Sequence, residues 1–325
     1  MSIIIDARPR REYLLDHIPG AVNLMLQPRG YARTPGSGSD NYDLPPWSTG
    51  GECMPFPHWL FVHLGRLEPG DSVLVYSENP ADSELWAASL RPYGFVVDIL
   101  AGGYASYRRW VDAALELLPR ALPLRLLSAP AASGLDRLLQ LLGAHQRQVV
   151  DLTHAGGGQL IPGMVLPGDF PSQAMFESCV VGSLRLCDPS TDVWITVPAP
   201  ASAVALPPAL RERLGRMPTV EVTLPLAERV LAWAGHLEAQ RVTVMHVVEA
   251  LASLPSPPQR DSVLRWQALA RESRTFDTFV AVMREFLDPA YSTYTALEGI
   301  DGQALYLTSL QPESLDAHLA AELTK

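Results

Sequence analysis

Short apolar runs broken by polar, glycine-rich and proline-rich stretches set the pattern of the first 118 residues. Ile3-Ile4-Ile5 predicts a buried strand and residues 10 to 15 a short helix; the turn His17-Ile18-Pro19-Gly20 leads into a second strand at Ala21-Val22-Asn23. A long loop rich in Gly, Pro and Ser covers residues 27 to 52, and residues 59 to 64 read as a helix. A strand at 72–76, a helix at 83–93, a strand at 96–100 and a helix at 105–117 follow. Strands alternating with short helices predict a parallel sheet with helices on both faces.

Pro119 to Pro123 reads as a linker, which divides the chain into domains at 1–118 and 119–325. In the second, Leu124 to Leu127 predicts a strand, residues 135–142 a helix, and Val149-Val150-Asp151-Leu152 and Val193-Trp194-Ile195 further strands. Leu226, Val230, Leu231 and Trp233, then Val244, Val247, Val248 and Leu251, recur at helical spacing and read as core stripes.

Composition narrows the classes. The 325 residues, 47% of them apolar and 18% charged, fit two folded domains. No run is long and apolar enough to span a bilayer. The chain opens directly on Ile3–Ile5 with no basic region ahead, so the cytoplasm is the expected compartment. A net charge of −10 argues against nonspecific nucleic-acid binding and does not support tRNA as a partner. The local basic groups Arg108-Arg109 and Arg211, Arg213 and Arg216 read as solvated helix faces. Cys53, Cys179 and Cys187 form no CxxC pair, so no metal site or disulfide framework is expected. Cys179 and Cys187 read as packed thiols, and Cys53, in a polar loop, is the one plausible reactive thiol. His154 and His246 have no metal-spaced partners and read as structural.

The chemistry is expected at loops that follow strands. Asp6-x-Arg8-x-x-x-Glu12 with His17-Ile18-Pro19-Gly20-Ala21-x-Asn23, and the closing Leu100-Ala101-Gly102-Gly103-Tyr104 with Trp110, resemble the opening and end motifs of rhodanese domains. The resemblance implies a sulfur-carrying cysteine in the loop after the central strand, within a pattern of roughly Cys-x-x-Gly-x-Arg-Ser. Here Ser77 stands at the cysteine position, Ala81 near the glycine, Asp82 at the arginine, and only Ser83 matches. A hydroxyl cannot carry a sulfane sulfur near neutral pH, Glu78 and Asp82 repel an anionic donor, and Pro80 removes one loop donor. Asp6 and Arg8 have a structural role in that fold.

In the second domain a strand, a turn and a helix have the layout of a P-loop, G-x-x-x-x-G-K-[ST]. Ala129 stands at the first glycine, Gly134 at the last, Leu135 at the lysine and Asp136 at the hydroxyl position. Read alone, this is a turn with Asp136 as helix cap. The order of the two domains, however, is similar to that of bacterial tRNA 2-selenouridine synthases. Pro171-Ser172-Gln173-x-x-Phe176-Glu177, Pro225-Leu226-x-x-Arg229-Val230 and Leu287-Asp288-Pro289-Ala290-Tyr291 resemble that family's segments. Thr153 and Gly156-Gly157-Gly158-Gln159 depart from it.

The expected fold class is therefore α/β, a rhodanese-like parallel-sheet domain followed by a degenerate P-loop-type domain with a helical C-terminal extension. The expected function is that of a non-catalytic homologue, a binding or regulatory protein whose partner is a protein or an active relative, with no cofactor. The alternative is a diverged transferase that geranylates or selenates 2-thiouridine in tRNA or acts on a related prenyl, sulfur or selenium compound, with nucleotide or geranyl diphosphate bound. By family position Gln173, Glu177 and Arg229 are candidates for substrate contact. The plainer roles are a helix-capping carboxylate for Glu177 and a salt bridge to Glu228 or Glu221 for Arg229.

Overall fold

The computed structural model describes residues 2–24, 68, 70–153, 160–169, 172–300 and 302–309. The long loop at 27–52, the helix at 59–64, Cys53, His154, Pro171 and the segment Gly156-Gly157-Gly158-Gln159 lie outside them. The chain divides into two compact units, residues 1–110 and 111–325.

The first unit holds β1 (Ser2–Asp6), β2 (Val22–Asn23), β3 (Ser72–Tyr76) and β4 (Val96–Ile99) in one parallel sheet of order β2-β1-β3-β4. Ile5 lies opposite Val22 on one side and Val75 on the other. Helices α1 (Arg10–Leu15) and α2 (Pro80–Leu90) accompany it. The α2 helix begins three residues before the start expected from its apolar pattern. Asn79 caps it by accepting the Ala81 N–H, and Pro80 enters with its φ already helical. Trp86, Ala87 and Leu90 then pack on Ile5, Val73 and Val75 to form the core. Residues Arg91–Tyr93 make a 3₁₀ turn rather than more α-helix, and Gly94 ends it at φ 86°.

The linker expected at residue 119 is helical: α3 runs Gly103–Ala121 with Pro119 inside it. This close to the helix end the missing N–H removes a single bond in the last turn. Arg213 donates to the carbonyl of Pro119 in the last turn and to that of Leu122, which also accepts the Leu124 N–H.

The second unit holds β5 (Leu124–Ser128), β6 (Gln148–Asp151), β7 (Val193–Thr196), β8 (Thr219–Thr223) and β9 (Gln303–Tyr306), all parallel, in the order β6-β7-β5-β8-β9. Every residue of β7 is buried, as the continuous run Val193-Trp194-Ile195 requires of a central parallel strand. Helices α4 (Leu135–Ala144), α5 (Gln173–Leu184) and α6 (Pro208–Arg211) accompany the strands. A helical part comprises α7 (Leu226–Gln240), α8 (Val244–Ala252), α9 (Arg260–Arg271), α10 (Thr275–Val282), a π-helical turn at Met283–Leu287 and α11 (Asp288–Leu297). Its core centres on Trp233, stacked on Phe279 at 4.2 Å between centroids and donating its indole N–H to the Leu160 carbonyl at 2.8 Å.

The helical stripes place Val230, Trp233, Val247, Val248 and Leu251 in that core, with Leu226 and Val244 at its edge. Leu231 departs from the expectation, being 57% exposed, because one residue beyond Val230 turns the side chain about 100° away from the core. Two parallel sheets with a helical C-terminal part give the α/β class expected from the sequence. Among the described residues no helix is long and apolar enough to cross a membrane.

Candidate functional site

In open parallel sheets ligands bind beyond the carboxyl ends of the strands, where the strand order reverses. In the second unit that place is the end of β5, since β6 and β7 lie to one side of it and β8 to the other. The loop Ala129–Gly134 leaves β5 here and enters α4. Gly134 is the residue at the helix N-cap, left-handed at φ 72°, and its carbonyl accepts from the N–H groups of Arg137 and Leu138. Asp136 is therefore not the cap that the sequence suggests; it is exposed in the first helical turn, with its charge beside the positive end of the helix. Leu135, the residue read from the sequence against the P-loop lysine, packs against the core.

The protein's own groups hold this loop. The Ala131 carbonyl accepts from Nε and Nη2 of Arg229 at 3.0 and 2.8 Å, and the Ala132 N–H donates to the Pro162 carbonyl at 2.8 Å. Asp151, at the end of β6, accepts from the Thr153 N–H and hydroxyl and from the Thr196 hydroxyl at 3.0, 2.6 and 2.7 Å. A small cavity of about 30 Å³ lies between Ser133, Asp136, Asp151 and Thr153. Among the described residues the Ser133 hydroxyl has no hydrogen-bond partner, and Ser133 is 2% exposed.

Arg229 pairs with Asp288, at 2.6 and 3.1 Å, and not with Glu228 or Glu221. Asp288 sits 59 residues downstream, so sequence proximity could not have named it. Three residues on, the Ser128 hydroxyl donates to Tyr291 at 2.9 Å and the Tyr291 hydroxyl donates to Glu221 at 3.3 Å. Burial pushes the Tyr291 phenol up, so it remains a neutral donor. The Asp288–Tyr291 segment thus fastens the strand end and the loop. Gln173 and Glu177 come together on α5. The Gln173 amide makes two bonds of 2.8 Å to the Ala205 backbone and one of 3.1 Å to Glu177. Ser172, not Glu177, caps α5, accepting the Met175 N–H.

The first unit repeats the theme at Ser77, directly after β3. Ser77 is 3% exposed; its hydroxyl accepts from the Asn79 N–H at 3.3 Å and makes a long 3.4 Å contact to the Asp82 carboxylate. The Ala81 N–H is taken by the Asn79 side chain and the Asp82 N–H by the Asn79 carbonyl, and Pro80 has none. Of the positions 79 to 82, only the Asn79 N–H is thus directed at the Ser77 side chain. Behind the loop Asp6 binds the Arg8 guanidinium and accepts the Tyr76 hydroxyl at 2.7 Å, all three fully or almost fully buried. The Arg8 guanidinium carbon lies 3.5 Å over the Tyr104 ring, whose hydroxyl donates to Asp16. Gly103 must be glycine, because an added Cβ would stand 2.1 Å from the Ser77 carbonyl oxygen.

Residues 1–109 match the family described as the rhodanese-like domain. No curated protein matches the chain. Within the rhodanese-like domain, Asp6 and Arg8 therefore shape the framework, and the loop that would wrap a thiolate carries a serine whose neighbours are already satisfied.

The basic candidates do not form one free patch. Arg108 pairs with Asp16, Arg211 with Glu298, and Arg213 is committed to the end of α3. Cys179 is buried; Cys187 is half-buried, and burial pushes its thiol up. His246 is exposed. Among the described residues no group of three or more His, Cys, Asp or Glu is placed to hold a metal ion.

Proposed function

We propose that this protein is a non-catalytic binding or regulatory protein, a homologue of the tRNA 2-selenouridine synthases that keeps their two-domain plan without their chemistry. The observation that carries the reading is the state of the Ser77 loop. A rhodanese-type reaction needs a thiolate held by several free amide groups. Here the side chain is a hydroxyl, the Asn79 N–H is the one loop amide bonded to it, the amides of residues 81 and 82 are occupied elsewhere, Pro80 offers none, and Asp82 adds a negative charge. The loop after β5 supports the same reading. Leu135 and Asp136 supply neither a phosphate cation nor a magnesium hydroxyl. The resemblance to the synthases rests on the colinear segments around Gln173, Arg229 and Asp288, which in this fold serve as internal fasteners.

The test is incubation of the purified full chain with 2-thiouridine-containing tRNA, geranyl diphosphate and selenophosphate, followed by nucleoside analysis. The expected result is unmodified 2-thiouridine. A geranylated or selenated nucleoside would overturn the proposal in favour of the transferase alternative.

A further inference from the structure

A row of four aromatic rings joins the surface of the first unit to its core. On α3, Tyr104, Tyr107 and Trp110 recur every three residues and so lie along one side of the helix. Trp110 to Tyr107 is 5.9 Å between ring centroids, Tyr107 to Tyr104 6.0 Å, and Tyr104 to Tyr76 6.3 Å. Each step is within the range of contacting aromatic pairs. The row runs from outside to inside, since Trp110 is 47% exposed, Tyr107 8% and Tyr76 0%. Core packing accounts for Tyr76 and Tyr107, whereas Trp110 is open to solutes.

Two of the phenols have a carboxylate in place to take a proton, and the two differ. The Tyr104 hydroxyl donates to Oδ2 of Asp16, and Arg108 meets the same oxygen at 3.4 Å. The Tyr76 hydroxyl donates to Oδ2 of Asp6 at 2.7 Å, but that oxygen also takes Nη2 of Arg8 at 2.7 Å. Protonating Asp6 would dismantle an almost fully buried ion pair, which opposes proton transfer there. The Arg8 guanidinium carbon lies 3.5 Å over the Tyr104 ring, so the cation repels a second positive charge on that ring. Tyr104 therefore loses an electron most easily as its proton leaves, and Asp16 is the acceptor already bonded to it.

We propose that this row is an electron-transfer relay that collects an oxidising equivalent at Trp110 and settles it on Tyr104. The co-reactant is a one-electron oxidant in solution, an oxygen-centred radical, which takes an electron from the Trp110 indole and becomes an anion. An electron then passes from Tyr104 through Tyr107 to Trp110, which returns to its closed-shell state. As it leaves, the Tyr104 O–H bond breaks and the proton goes to the Asp16 carboxylate. The products are a neutral tyrosyl radical, a protonated Asp16 and the reduced oxidant, so electrons and charge balance. The relay stops short of Tyr76, because Asp6 is committed to Arg8. It stands whether or not the loops at Ser77 and Ala129 are inert.

The test is pulse radiolysis of the full chain with the azide radical, which oxidises tryptophan in preference to tyrosine and leaves azide ion. The tryptophanyl absorption is expected to decay as the tyrosyl absorption rises, at a rate independent of protein concentration. Trp110→Phe, at the exposed end of the row, is expected to keep the thermal midpoint and remove most of this phase. Asp16→Asn is expected to slow it about a hundred-fold, the scale of a lost positioned proton acceptor. The wild-type rate in heavy water needs no variant and is expected to fall as well. A tyrosyl signal that never rises overturns the proposal, and so does one of unchanged size in Trp110→Phe. A rate that is the same in heavy water and in folded Asp16→Asn overturns it too.

Discussion

Asp6→Ala is expected to destabilise the first unit by about 4 kcal/mol, because it strands a buried cation. Asp6 is fully buried and takes both the Nε and Nη2 hydrogen bonds of Arg8, the Arg8 backbone N–H and the Tyr76 hydroxyl. Without the carboxylate, the guanidinium keeps the Asp16 carbonyl and the faces of Tyr104 and Tyr76, none of which carries a compensating charge. Asp6→Asn keeps the shape but loses the charge, so its cost should fall below that of alanine. Urea denaturation of the three proteins gives the order wild type, Asp6→Asn, Asp6→Ala. Equal stability of all three would show that the pair is not the framework of the strand ends.

The second large effect belongs to Arg229. Arg229→Ala leaves the buried Ala131 carbonyl without donors and Asp288 without its partner. Asp288 is partly exposed and regains water, so the expected loss is about 3 kcal/mol, at the lower end for a broken buried pair. Arg229→Lys should recover part of it, since an ammonium cannot span both acceptors as a guanidinium fork does. Hydrogen exchange supplies a local readout. The Ala132 amide, bonded to the Pro162 carbonyl, should exchange faster in Arg229→Ala than amides of β7 do. Unchanged exchange at Ala132 would mean that Arg229 does not fasten the loop.

Much of this fold was legible because local patterns and tertiary burial agree. Ile3–Ile5, Ser72–Tyr76 and Val193–Ile195 are short apolar runs bounded by polar residues, and each is a parallel strand. The departures occur where a distant residue decides. Pro119 looked like a stop, yet Arg213 satisfies the carbonyls around it and the helix runs past. Asp136 looked like a cap, but left-handed Gly134 takes that place. Arg229 had two acidic neighbours in sequence and chose Asp288, which the π turn and α11 bring within reach. The candidate site divides the same way. The residue types at Ser77, Leu135 and Asp136 are visible in the sequence. The internal bonds that occupy the loop amides are not, because they depend on backbone geometry, as does the row of rings from Trp110 to Tyr76.

The central claim is that the Ser77 loop no longer stabilises an anion, and a thiol placed there reports on it directly. In Ser77→Cys, the alkylation rate of the new thiol by iodoacetamide is followed against pH and located by peptide mass spectrometry. With the Ala81 and Asp82 amides occupied and the Asp82 carboxylate beside it, the thiol is expected to titrate at or above the free-cysteine value of about 8.5. A midpoint below about 7 would show a loop that still gathers free donors around a thiolate, and would contradict the account.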